Sequence, residues 1–90
     1  MPLSSKIAYE RSEIALKEFI DATVQSKKTN IKVHQNSRWN KNDFTSEYEL
    51  KFLDEFLGAW EYNITFKNGI TYYLDFYYSD GHWNAFLQKK

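Results

Sequence analysis

The chain has no cysteine, which excludes a disulfide frame and any thiolate metal site. One proline and three glycines leave few built-in breaks, so each is expected to mark a turn or a helix end. Neither sign of charge prevails. Twelve basic and twelve acidic residues cancel, which withdraws the chain-wide electrostatic argument for a nucleic-acid or membrane partner. No apolar run approaches the ~20 residues of a membrane helix, and residues 1–6 open no signal-peptide core, so the expected compartment is the cytoplasm. Asn63-Ile64-Thr65 matches the N-glycosylation pattern, but it falls inside an expected strand and needs a secretory route.

Catalytic signatures are equally scarce. His34 and His82 are the only histidines, and neither has a carboxylate or second histidine at ligand spacing. Among three glycines there is no phosphate-cradling loop, nucleophile elbow or dinucleotide fingerprint. No metal and no cofactor is therefore expected.

Aromatic residues are abundant: three Trp, seven Tyr and seven Phe in ninety residues. A chain of this length forms one domain, residues 1–90, near the lower size limit for folding without staples. Large rings each remove on the order of 150–250 Å² from water, which is how so short a chain can build a core. Ten of them fall between Trp60 and Phe86, around two turn signals, Lys67-Asn68-Gly69 and Ser79-Asp80-Gly81. This reads as a three-strand antiparallel meander.

Patterning sets its register. A three-residue loop with Gly69 left-handed places Phe66 opposite Ile70, Tyr62 opposite Leu74 and Trp60 opposite Phe76, whereas a two-residue loop would oppose apolar to polar positions. A two-residue Asp80-Gly81 loop sets Trp83 against Tyr78, Ala85 against Phe76 and Leu87 against Leu74. One face then collects Trp60, Tyr62, Ile64, Phe66, Ile70, Tyr72, Leu74, Phe76, Trp83, Ala85 and Leu87 as core. The other carries Glu61, Asn63, Thr65, Thr71, Tyr73, Asp75, Tyr77, His82, Asn84, Phe86 and Gln88.

Upstream, Ser4 to Gln25 reads as a helix, with Pro2 ahead of it and Ser4 or Ser5 as N-cap. Tyr9, Leu16, Phe19, Ile20, Thr23 and Val24 form its core stripe, while Ile7 and Ile14 project nearly opposite as a small apolar strip. Ile31 and Val33 alternate with Lys32 and His34 in a short edge strand, and residues 36–43 form a loop. Between Tyr48 and Leu57 two templates compete. Ser46 and Glu49 have capping-box spacing and Gly58 suits a helix stop, which predicts a short helix over residues 47–57. The same stretch also alternates at strand period, which would make Phe44 to Leu53 a fifth strand. The expected fold is α+β: an N-terminal α-helix packed on a four- or five-stranded antiparallel sheet that ends in the meander, with a short second helix.

Charge is unevenly spread. Lys27, Lys28, Lys32, Arg38 and Lys41 occupy a stretch free of acids, whereas residues 43–61 hold six acids against Lys51. The two segments are expected to be neighbours that attract each other.

Three functions can be built from these parts. Tyr73, Tyr77 and Phe86, rimmed by His82, Asp75 and Asn84, resemble the aromatic centre and polar margin of a protein interface, for a partner protein or for self-association through the sheet face. The basic segment 27–41 with Trp39 offers cations and a stacking ring for a single-stranded nucleic acid. His82, Asp75, Tyr77 and Glu61 are the ingredients of a small acid/base enzyme. Non-enzymatic protein binding is the expectation that uses most of the face.

Residues 76–83, Phe-Tyr-Tyr-Ser-Asp-Gly-His-Trp, resemble the final hairpin of the small immunity proteins that neutralise ribosome-cleaving colicins, where an aromatic strand also turns through Asp-Gly-x-Trp. The resemblance covers eight residues of ninety, and the N-terminal helix departs from that family's pattern. What it implies is an inhibitory or toxin-neutralising binder.

Overall fold

A computed structural model describes the backbone of residues 5–90 and the side chains from Tyr9 onward. The expected caps at Pro2 and Ser4 and the Ile7 side chain lie outside the described residues. A helix, α1 (Ser5–Val24), is followed by β1 (Lys32–Val33), a single 3-10 turn (Lys41–Asp43), and then β2 (Tyr48–Phe56), β3 (Ala59–Phe66), β4 (Thr71–Ser79) and β5 (His82–Lys89). The strands form one sheet in the order β1-β5-β4-β3-β2. No helix among the described residues is long and apolar enough to cross a membrane.

The meander has the register that patterning demands. Tyr62 faces Leu74 and Trp60 faces Phe76, while Leu74 faces Leu87 and Tyr78 faces Trp83. Gly69, at φ +86°, supplies the left-handed residue of the three-residue loop, and Asp80 and Gly81 both have positive φ, as a two-residue hairpin loop requires. Burial alternates strictly along β3, so Trp60, Tyr62, Ile64 and Phe66 all point inward. Leu16, Phe19 and Ile20 of α1 close the core over that face. Ser26, at φ +56°, stops the helix. The Lys27 N–H reaches back to the Ala22 carbonyl and the Ser26 N–H to that of Thr23, the bonding pattern of a Schellman cap.

Three expectations are corrected. Residues 48–56 form a strand, and no second helix exists among the described residues. A helix there would leave the edge of β3 without backbone partners. As a strand, Tyr48, Leu50 and Phe52 instead extend the inner face beside Phe66, Ile64 and Tyr62. A bulge at Leu53 breaks the alternation, and Gly58 at φ +73° serves the β2–β3 turn.

The sheet is mixed, because β1 runs parallel to β5. Strand parity explains this. Three hairpins make β5 opposite in sense to β2, and the segment from His34 to Glu47 crosses one end of the sheet, which makes β1 opposite to β2 as well. Trp39 and Phe44 ride in that crossing and pack edge-on to each other, each also against Phe19.

The basic and acidic segments are not neighbours. β1 and β2 form opposite edges of the sheet, so the cations of residues 27–41 and the acids of residues 43–61 lie on opposite flanks. The exception is Asp43, which accepts the Tyr72 hydroxyl at 2.8 Å and pairs with Lys89 at 3.1 Å.

Candidate protein-binding face

The side of the sheet away from α1 is set by register. On β4, Thr71, Tyr73, Asp75, Tyr77 and Ser79 alternate with the buried residues, and each is partly exposed. Asp75 lies at the centre of a cross. Tyr73 and Tyr77 flank it along its own strand, while Phe86 of β5 and Glu61 of β3 stand directly opposite on the two neighbours. That crowding withdraws the carboxylate from water although none of the described elements lies over it.

Burial first, and then the charge of Glu61, hold the Asp75 carboxyl above the ordinary aspartate range. Its Oδ1 is buried without a hydrogen-bond partner, as is Oδ1 of Asn63 in the next row. Glu61 accepts the Tyr73 hydroxyl at 2.5 Å, and the Tyr73 phenol is pushed up by desolvation and by that acceptor. Asp54 of β2 continues the row beyond Glu61, so three carboxylates stand in register on adjacent strands. Like charges directly opposed weaken a sheet, and among the described residues none of the three forms an ion pair.

Of the residues expected at this site, Tyr73, Tyr77, Phe86 and Asp75 come together. Asn84 lies one row away opposite Tyr77 and donates its amide to the Ser79 and His82 carbonyls, holding the last turn. His82 is two rows from Asp75, ~13 Å along the strand at ~3.3 Å per residue. Its Nδ1 lies 3.2 Å from the Trp83 carbonyl. It borders a shallow cleft of about 510 Å³ beside Trp83 and Glu18, and Asp75 does not line that cleft.

Glu61 and His34 join the face beyond what sequence reasoning singled out for binding. The His34 ring sits edge-on to Phe86 with centroids 5.8 Å apart, and its Nδ1 accepts the Asn36 N–H. Strand alternation already put Glu61 on this side, and the register read from patterning, with Tyr62 opposite Leu74 and Trp60 opposite Phe76, already set it facing Asp75. His34 had no such signal, since β1 pairs with a strand fifty residues away.

The basic segment is divided by the fold. Lys27, Lys28 and Lys41 rim a groove of about 350 Å³ between the end of α1 and β1, with Trp39 in its wall. Trp39 packs on Phe19 and Phe44 and is only partly exposed. Among the described residues no group of three or more His, Asp or Glu is placed to hold a metal ion.

Comparison with protein-family models, with curated proteins and with solved structures finds no match to this chain.

Proposed function

We propose that the protein is a non-enzymatic binding module, in the manner of an inhibitor or toxin-neutralising protein, that holds a cationic segment of a partner protein on its outer sheet face. The observation that carries this reading is Asp75: a half-buried carboxylate, opposed by Glu61 and enclosed by rings, with one oxygen that no donor among the described residues satisfies. A buried acceptor left unpaired costs a protein about 1–3 kcal/mol. Such a cost at a site with no structural benefit fits a group kept for a ligand. An arginine suits it, because a planar guanidinium pairs with two carboxylates and stacks on Tyr and Phe faces. The rings of Tyr73, Tyr77 and Phe86 supply the rigid apolar area from which interface hot spots are built.

The acid/base reading draws less support, since His82 and Asp75 stand too far apart to share a proton. For the nucleic-acid reading, Trp39 is engaged with two core rings.

The test is quantitative co-purification from the source cell with three variants: Tyr73→Ala with Tyr77→Ala, Asp75→Lys, and Ile14→Lys as a control on the opposite side of the molecule. The expected outcome is a set of basic proteins held by the wild type and the control and lost by both face variants. Equal recovery by all four forms overturns the reading.

A further inference from the structure

The sheet ends on β2, and no described residue pairs with its far side. The other edge, β1, is a two-residue strand, whereas β2 presents nine residues. The Lys67 N–H donates to the Glu47 carbonyl between β3 and the start of β2. Bonded positions alternate along an antiparallel ladder, so Glu49 and Lys51 turn their backbone groups to β3 while Tyr48, Leu50 and Phe52 turn theirs outward. A free row of donors and acceptors beside a 41% exposed Phe52 is a template for another strand.

The residues along this edge are self-complementary. Tyr48-Glu49-Leu50-Lys51-Phe52 reads ring, acid, leucine, base, ring. We propose that β2 pairs antiparallel with β2 of a second copy of this chain about a two-fold axis at Leu50. In that register each Tyr48 faces the other copy's Phe52, the two Leu50 residues face each other, and each Glu49 faces a Lys51. The outward groups of residues 48, 50 and 52 then meet as bonded pairs, which makes roughly six backbone hydrogen bonds.

The two neighbouring axes each bring like charges together. Moving the axis one residue toward the N-terminus opposes Glu49 to Glu49, and moving it one residue the other way opposes Lys51 to Lys51. A mid-strand lysine ordinarily guards an edge against pairing. Here the same lysine selects the register, because its counter-charge lies two residues away on the same strand. The bulge at Leu53 ends the pairing beyond Phe52. The product is a continuous sheet twice as wide, with an Asp75–Glu61 face on each half. The inference stands independently of what that face binds.

Charge exchange tests it. Sedimentation of the wild type is expected to give a concentration-dependent dimer of the 10.8 kDa chain. Lys51→Glu and Glu49→Lys should each weaken the dimer by about tenfold or more. Both positions are solvent-exposed in the single chain, so both variants should keep the wild-type circular dichroism. An equimolar mixture of the two variants should restore dimerisation, since each acid then meets a base. In the wild type, amide hydrogen exchange should show Tyr48, Leu50 and Phe52 protected at high concentration and unprotected on dilution, with Glu49 and Lys51 protected at both. The proposal is overturned by a monomer at every concentration, by a dimer indifferent to the single changes, by a mixture that stays monomeric, or by outward amides whose exchange ignores dilution.

Discussion

Ser12 of α1 and Tyr62 of β3, fifty positions apart in the chain, meet at 2.9 Å in a fully buried hydrogen bond. Ser12 donates its own proton to the Tyr9 carbonyl at 2.6 Å, so Tyr62 is the donor between the two hydroxyls. This bond fixes where the helix crosses the sheet, and desolvation pushes the Tyr62 phenol up to about 12. Ser12→Ala leaves that hydroxyl buried and unpaired, for an expected loss of about 1–3 kcal/mol. Adding Tyr62→Phe should recover part of it. Urea denaturation of the single and double variants gives the coupling directly, and additive losses would count against the bond.

Asp43 ties the crossing segment to the far ends of β4 and β5. The Tyr72 hydroxyl, and then Lys89, favour its ionised form and hold the carboxyl below the ordinary aspartate range. A group depressed on folding contributes stability above its unfolded pKa and loses it as pH falls through the folded value. Asp43→Asn should therefore lower Tm at pH 7 and matter progressively less toward pH 3. Thermal unfolding at the two pH values checks the sign.

Asp75 has the opposite sign. Its carboxyl is raised in the folded state, so its contribution is fully present below the unfolded aspartate value and declines as pH rises through the folded one. Asp75→Asn is expected to stabilise the free protein at pH 7 by on the order of 1 kcal/mol, a gain that fades in acid. Destabilisation at pH 7 in a denaturant titration would contradict this account of the face.

On the helix, Leu16 is fully buried and Ile14 is 60% exposed. Leu16→Ala should cost about 2–5 kcal/mol, and Ile14→Lys should stay within about 0.5 kcal/mol of the parent. Calorimetric Tm values for the pair settle which side of α1 is core.

The meander was readable because each strand alternates cleanly and each turn carries residues that tolerate positive φ, so that apolar pairing alone fixed both registers. Tyr48 to Leu57 was ambiguous for a physical reason. Leu50, Leu53, Phe56 and Leu57 satisfy a helical face, but the bulge at Leu53 shifts strand parity midway and disguises the alternation. The β1–β5 pairing joins residues such as Val33 and Ala85, and no local signal encodes a contact of that separation. At the candidate face, parity located Tyr73, Tyr77, Phe86 and Asp75. The opposition of Asp75 to Glu61 and the distance to His82 follow from the registers that patterning set, whereas the extension of the row to Asp54 needed β2 as a strand.

The lone parallel contact has a bearing on how the chain is made. Lys32 and Val33 leave the ribosome long before Asn84 and Ala85, the residues they lie against. Strands β2 to β5 can zip up one hairpin after another as they emerge, whereas β1 must wait for the last of them and then close a loop of about fifty residues. Until translation has passed Ala85, the stretch after α1 has no seat on the sheet.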